Sequence, residues 1–376
     1  NRAIVKTMNK VAPDAIPEDC QGYLEKGHKN ETIYKTKDTE AESKLETLFK
    51  HTEALYKAAI TVGEQVTSTK AFSILSRFIK EQTNVEANKR VLKSGKEISP
   101  ESLQNPTDPD ATYRQKYADN IGYVSNVVNA YNGKNQVITH YDLQPNTYSD
   151  QRFTEDVVQS LAESQESTEK RIIGVDGSFY SDDLSQKAKK ENIELIPSQL
   201  TGAKPNPEKL GYDQFKVDET TEKIVHCPAG RSPDESYYDS KKKCYTVKMD
   251  KTKCAACPLR SKCPIKPQKK KNVARFSEKR YRNDQVRAKM ETEEYRKLAN
   301  SRAGVEAIPS VLRRRYNVDN MPVRGVVRSK IWFGFKVAAM NFKSLVKGLR
   351  ESADVCFVQL YPMLFSNYWR CLGLNF

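Results

Sequence analysis

Five of the eight cysteines fall between positions 227 and 263, and this cluster constrains the chain more than any other feature. Cys227 lies in HCPAG, and Cys254, Cys257 and Cys263 lie in KCAACPLRSKCP. The resulting spacing, C-x26-C-x2-C-x5-C, fits a four-thiolate zinc site, because a C-x2-C turn lets two sulfurs grip one tetrahedral ion. Prolines follow Cys227, Cys257 and Cys263, which suits rigid knuckle turns. Cys244, in KKKCY, is a spare, and Cys20, Cys356 and Cys371 are scattered. The alternative is a set of reduced thiols that share no ion. In a chain of 376 residues, eight cysteines do not make a secreted disulfide scaffold. Of the four histidines, His28, His51, His140 and His226, none shows a metal pattern apart from His226 beside Cys227.

Charge is segregated around the same region. Residues 240–350 hold 31 Lys and Arg against 8 Asp and Glu, leaving 32 basic and 40 acidic residues for the rest of the chain. One third of the sequence thus carries more than the whole formal excess of +15. A basic segment of that density is the footprint of a polyanion partner, with nucleic acid favoured over a merely solubilising surface. No run of eighteen clean apolar residues exists, which excludes a multi-span membrane protein. No secretory signal is present, and the start, NRAIVKTMNK with Asn at position 1, reads as the inside of a longer gene product.

Periodicity divides the chain into five parts. Residues 1–100 read as a helical region. Leu45, Leu48, Phe49, Leu55 and Ile60 stand at helical spacing within residues 41–66, and a second amphipathic helix follows with Thr67 or Ser68 as its N-cap. Residues 90–120 read as a loop, with prolines at 100, 106 and 109. Residues 101–200 form the first part of an α/β domain. A hairpin with strands near 121–131 and 136–144 turns at Asn132-Gly133. A helix over 150–163, a strand Ile172–Val175 ending at Asp176, a helix in DDLSQKAKKENI and a strand in ELIPS follow, an order that implies a mixed sheet covered by helices. Residues 201–275 are a polar, Cys-rich insertion. Residues 276–350 return to helix from about Glu278, with Pro309 bending or restarting a turn and with Trp332, Phe333 and Phe342 as core anchors. Residues 351–376 are an atypical apolar tail broken by Pro362 and Arg370.

Two acids stand out in this otherwise basic protein. Asp176 ends a short apolar strand, the place where open α/β sheets put functional groups. Glu306 is flanked by Arg302, Arg313, Arg314 and Arg315, with Arg302, Glu306 and Arg313 on one face of a helix. Glu306 could simply be a salt-bridge partner. Together, however, two carboxylates in a basic setting can hold Mg²⁺ against a phosphate backbone that the arginines grip. No nucleophile elbow, P-loop or dinucleotide glycine pattern competes with this reading.

In order, RIIGVDGSFYS, HCPAG, CAACPLRSKC and SRAGVEAIPSVLRRRYNVDNMPVRG resemble the bacterial insertion-sequence transposases of the DDE type, in the branch with a cysteine-rich insertion before the catalytic glutamate. NPTDPDATYR resembles the same branch, and the resemblance runs over about residues 105–348. It implies an RNase H-like α/β fold, a mixed sheet flanked by helices, to which the helical N-terminal region and the zinc-type insertion are added. It implies that Asp176 is the second catalytic Asp, that Glu306 is the catalytic Glu, and that both bind Mg²⁺ or Mn²⁺. Arg302 and Arg313 match the basic positions of the pattern R-x3-E-x6-K, with Arg where Lys is usual and Ala299 where a Tyr often sits.

The first catalytic Asp has no counterpart on a strand before residue 100. It is expected upstream of residue 1, with Asp108 and Asp110 as substitutes. The resemblance implies cleavage of transposon ends and 3′-OH strand transfer into target DNA. It further implies double-stranded DNA as partner, a homo-oligomeric synaptic complex, and a cytoplasmic, nucleoid-associated protein with no membrane contact. Arg302, Arg313, Arg314 and Arg315 then hold DNA, and Cys227, Cys254, Cys257 and Cys263 hold a structural Zn²⁺. Two alternatives stay open: a decayed transposase acting only as a DNA-binding protein, and a nuclease of this fold that cuts without joining.

Overall fold

The computed structural model describes residues 1–131, 136–164, 170–202, 204–218, 220–301 and 305–351. They divide into two compact units. The first holds Asn1–Val127, Tyr141–Tyr148 and Val318–Ala339, and the second holds Val128–His140, Ser149–Asn317 and the chain from Met340. The turn Asn132-Gly133, Arg302 and the apolar tail after Glu351 lie outside the described residues. Among the described residues, no helix is long and apolar enough to cross a membrane.

The chain opens with helices α1 (Arg2–Val11), α2 (His28–Tyr34), α3 (Ala41–Val62), α4 (Glu64–Thr67) and α5 (Lys70–Gln82). Their aliphatic faces build one core, in which Ile4, Val5, Met8, Leu55, Ala59 and Val66 are sealed from solvent. In α3 the buried stripe runs through Thr52, Leu55 and Ala59. Ile60 lies one position off that stripe and is exposed. Leu45 does not enter the core either; it lines, with Leu48, Phe49, Ile74, Leu75 and Phe78, a cavity of about 780 Å³. The N-cap of α5 is Thr69 rather than Thr67 or Ser68, and its hydroxyl accepts the Phe72 N–H at 3.3 Å.

The expected loop after residue 90 is partly strand. β1 (Thr83–Glu86) and β2 (Lys89–Leu92) form a hairpin, turning on Ala87 (φ 46°) and Asn88 (φ 62°). Two left-handed residues in succession make the primed turn that matches strand twist, here without the Asn-Gly that usually announces it. β3 (Thr112–Lys116), β4 (Ala118–Tyr131) and β5 (Gln136–Pro145) then form an antiparallel sheet in that order. The inner ends of β4 and β5 belong to the first unit and their tips to the second.

The second unit continues with α6 (Asp150–Glu163), β6 (Arg171–Val175), α7 (Asp182–Lys190) and β7 (Ile193–Pro197). Serines cap both helices: Ser149 accepts from Arg152 N–H and Ser181 from Leu184 N–H. β6 and β7 pair in parallel, and Val158, Val175, Leu184, Ala188, Ile193 and Leu195 form their core. The sequence pattern predicts one mixed sheet. Among the described residues β3–β4–β5 and β6–β7 are instead hydrogen-bonded as separate sheets.

The polar stretch after Pro197 is a folded module. β8 (Lys216–Asp218) pairs with β9 (Lys223–His226). β10 (Glu235–Asp239), β11 (Cys244–Met249), β12 (Lys266–Pro267) and β13 (Asn272–Ser277) form a sheet of order β10-β11-β13-β12, with the short helix α8 (Lys251–Ala255) following β11. Alternate residues Tyr245, Val247 and Met249 on β11 and Ala274 and Phe276 on β13 point inward, onto Phe215 and Ile224. Helices α9 (Glu278–Met290), α10 (Glu293–Ser301), α11 (Ala307–Tyr316) and α12 (Val326–Glu351) complete the described chain. On α12 only Phe333 of the three expected anchors is fully buried; Trp332 is half-buried and Phe342 is exposed. Helical spacing places residue 342 about 180° from residue 333, so one face cannot hold both.

Candidate functional site

Asp176 follows directly on β6. The parallel register sets Val175 opposite Pro197, so Asp176 and Ser198 leave the pair at the same carboxyl-terminal edge. The Ser198 N–H donates to Val175 O at 2.9 Å, extending the ladder by one step. The Ser198 hydroxyl then donates to Asp176 Oδ1 at 3.1 Å, and the Gly177 N–H donates to the same oxygen at 2.8 Å. Both donors converge on Oδ1, and Oδ2 accepts no hydrogen bond from the described residues. Gly177 is required by close approach: a Cβ there would stand 2.8 Å from Gln199 O.

Helices α7, α9 and α10 brace this edge. Asp182, in the first turn of α7 and 2% exposed, takes a forked contact from Arg282 of α9, with Nε at 2.9 and 3.0 Å and Nη2 at 2.7 Å. Arg282 also pairs with Glu278. Fixing a guanidinium with two acids satisfies a nearly buried carboxylate that would be costly alone. From α10, the Tyr295 hydroxyl donates to Pro197 O at 2.8 Å, and burial pushes that phenol well above its ordinary pKa. None of Ser198, Tyr295 or the Arg282–Asp182 pair stands out in the sequence; their roles follow from strand register and helix packing.

Glu306 is the exposed N-cap of α11, which Ile308 and Leu312 anchor by burial. Pro309 occupies the first turn, where its missing N–H costs nothing because first-turn N–H groups have no partner in the helix. Pro309 therefore starts this helix rather than bending it. Arg313, Arg314 and Arg315 are exposed in the last turn, where cations offset the helix dipole, and Asn317 (φ 53°) ends the helix in the left-handed conformation. Arg302 lies outside the described residues.

The substitute acids belong to the first unit. Asp108 is buried and accepts from the Tyr123 hydroxyl at 2.5 Å and the Gly325 N–H at 2.9 Å. Asp110 accepts from the Val326 N–H at 3.0 Å. Both carboxylates therefore cap the start of α12, where the N-terminal N–H groups are otherwise unpaired. Burial, and then the bond to Asp108, push the Tyr123 phenol up.

The four cysteines converge. Cys227 leaves β9 in a tight turn, with its N–H on Arg231 O and its carbonyl accepting from Gly230 (φ 73°). Cys254 lies in α8, the Cys257 N–H returns to Cys254 O at 3.3 Å, and the Cys263 N–H returns to Leu259 O at 2.8 Å. All four, unoxidised, line a single cavity of about 20 Å³ together with Met249 and Ile265. Burial pushes the Cys263 thiol up, and the other three cysteines add to that shift. Cys244 stands apart, its Sγ on Lys242 O at 3.2 Å, and His226 is not part of the cavity lining.

Chemically, oxygen donors suit Mg²⁺ and thiolates suit zinc. Asp176 has an oxygen to offer and Glu306 is exposed, which fits them as ligands by type. Among the described residues, though, no group of three or more His, Cys, Asp or Glu is arranged to hold a metal ion.

Residues 226–346 match the family model described as the transposase DDE domain. That match, over about a third of the chain, supports a DDE transposase. No curated protein and no solved structure matches the chain. The matched segment takes in strands β10 to β13, all four cavity cysteines and Glu306, whereas Asp176 lies before it. Transposases of that family in general are polynucleotidyl transferases that act on DNA with divalent metal ions such as Mg²⁺.

Proposed function

We propose that this protein is a DDE transposase of a bacterial insertion sequence that cleaves DNA ends and joins the freed 3′-OH to a target. The observation that carries the reading is Asp176. It sits at the carboxyl edge of a parallel strand pair, with Oδ1 held by Ser198 and Gly177 and Oδ2 left open, in a chain whose next segment is a transposase DDE domain. Asp176 and Glu306 are the metal-holding carboxylates of an RNase H-like centre. Mg²⁺, when bound, supplies charge neutralisation at the scissile phosphate and activation of the attacking oxygen. The chain's own contribution is to hold the two carboxylates and to grip phosphates through Arg302, Arg313, Arg314 and Arg315. Two copies pair the transposon ends in a synaptic complex. Cys227, Cys254, Cys257 and Cys263 close a structural zinc site, since four thiolates leave no open position for catalysis.

A second reading, a decayed transposase that only binds DNA, is favoured by one observation: no third metal-holding acid joins Asp176 and Glu306 among the described residues. Nicking of a supercoiled plasmid in Mg²⁺ or Mn²⁺ separates the two. Under the first reading the chain nicks and both Asp176→Ala and Glu306→Ala abolish it. DNA binding without any nicking would establish the second.

A further inference from the structure

Between Ser240 and Arg275 thirteen Lys and Arg residues face one acid, Asp250. The β10–β13 sheet sorts them. Its inner face carries Tyr245, Val247, Met249, Ala274 and Phe276 into the core. By register, Tyr237, Thr246 and Arg275 form a row across the opposite face, with Glu235, Lys248 and Val273 in the next row. Arg275 is exposed and makes no ion pair, Tyr237 is 47% exposed, and the Lys248 ammonium lies 5.8 Å from its ring centre. The register puts two acids on this face: Glu235, paired with Lys248 and Lys271 at 2.7 and 2.8 Å, and Asp239, whose Oδ1 accepts the Lys242 N–H at 3.1 Å.

The two ends of the sheet are lysine turns. Lys241 and Lys242 are exposed in the β10–β11 turn, which is built by the Lys242 N–H on Asp239 and the Glu278 N–H on Lys243 O. Lys269 and Lys270 are exposed in the β12–β13 turn, closed by the Gln268 N–H on Lys271 O and braced by Lys251 Nζ on Lys269 O. None of these four ammonium groups is in an ion pair among the described residues. The register places the turns at opposite ends of β11, about 20 Å apart at 3.3 Å per residue. That span equals roughly six base pairs of duplex at 3.4 Å each.

We propose that this outward face, with its two lysine turns, docks the phosphate backbone of duplex DNA, as a surface separate from Asp176, Glu306 and the arginines of α11. Unpaired cations at fixed spacing on a rigid sheet, with one interleaved aromatic and with Glu235 already neutralised, complement a polyanion and carry no base-reading geometry. The inference rests on the reading above that the chain acts on DNA.

The test is fluorescence anisotropy of a labelled duplex against salt concentration. It compares the unaltered chain with Lys241→Ala/Lys242→Ala, with Lys269→Ala/Lys270→Ala, and with the quadruple variant. Lys243 is left in place because its φ of 47° makes substitution there a test of the backbone. Each lysine on a phosphate contributes about 0.9 to the salt slope, so the quadruple variant should flatten it by about 3.6, with affinity falling at least tenfold near 0.1 M salt for any duplex sequence. Lys10→Ala/Lys26→Ala/Lys37→Ala, exposed lysines of the first unit, should leave the slope unchanged. Circular dichroism of every variant checks folding. Unchanged slopes in the quadruple variant, with the unaltered chain binding duplex, would overturn this surface alone. No duplex binding by the unaltered chain would overturn the DNA reading and this surface with it. Tighter binding of a single-stranded RNA competitor of equal length would overturn the partner.

Discussion

The helical start of the chain and the cysteine module solve the same problem with different means. The helices bury an aliphatic core, with Val5, Met8, Leu55, Ala59 and Val66 at 0% exposure, and need nothing else. The module of about sixty residues has a core of similar size, built around the aromatic Phe215, Tyr245 and Phe276, and a cavity ringed by four thiols. The core of a module that short rarely supplies more than a few kcal/mol, and natural modules of this length add a metal or disulfides. What the contrast teaches is that the first region rests on aliphatic burial, whereas the second combines an aromatic core with four thiols that share one cavity.

The comparison breaks most readily at the cysteines. Cys257→Ser, or a strong chelator, should remove bound zinc and unfold the module while leaving the helical core intact, because metal binding is part of such a module's folding free energy. Zinc content and limited proteolysis would read this; a module equally resistant with and without zinc would refute it. Next in size, Leu55→Ala should cost the helical region about 3 kcal/mol in chemical denaturation, with no change in zinc content. A loss of zinc on that substitution would mean that the two regions are not energetically separate.

The smallest effect concerns the ion triad on the module's sheet. Bonds from Lys248 and then Lys271 hold the Glu235 carboxyl down at about 2, against an ordinary value of 4.5. For a depressed carboxylate, the contribution is complete above pH 4.5 and lost as pH falls through about 2. Carboxyl NMR titration should place the Glu235 midpoint near the lower value, and Lys248→Ala should move it upward. An unshifted midpoint would mean that solvent screens the triad completely.

Much of this was legible before folding. Helix Asp150–Glu163, strands β6 and β7 and the start of α9 at Glu278 stand where periodicity and capping residues put them, since these signals are local. The module's sheet was legible too but was passed over. Tyr245, Val247 and Met249 alternate, as do Ala274 and Phe276, yet lysines between them gave the stretch the look of a polar loop. The β1–β2 hairpin was hidden by Ala87-Asn88, a turn without glycine. The start of α11 at Ala307 was hidden because Pro309 reads equally as a kink or as a first-turn residue.

The sequence by itself determined the segregated charge, the C-x26-C-x2-C-x5-C spacing and an acid at the end of an apolar strand, because composition, spacing and 2- or 3.6-residue periods are properties of neighbours along the chain. Only the tertiary structure decided that the four thiols share one cavity, that Ser198 stands on Asp176, that Asp108 and Asp110 cap a helix more than two hundred residues away, and that the lysine turns sit at opposite ends of one sheet. Each of these depends on register or packing between segments distant in sequence, and register is chosen by which apolar faces meet, a contest that no local window contains.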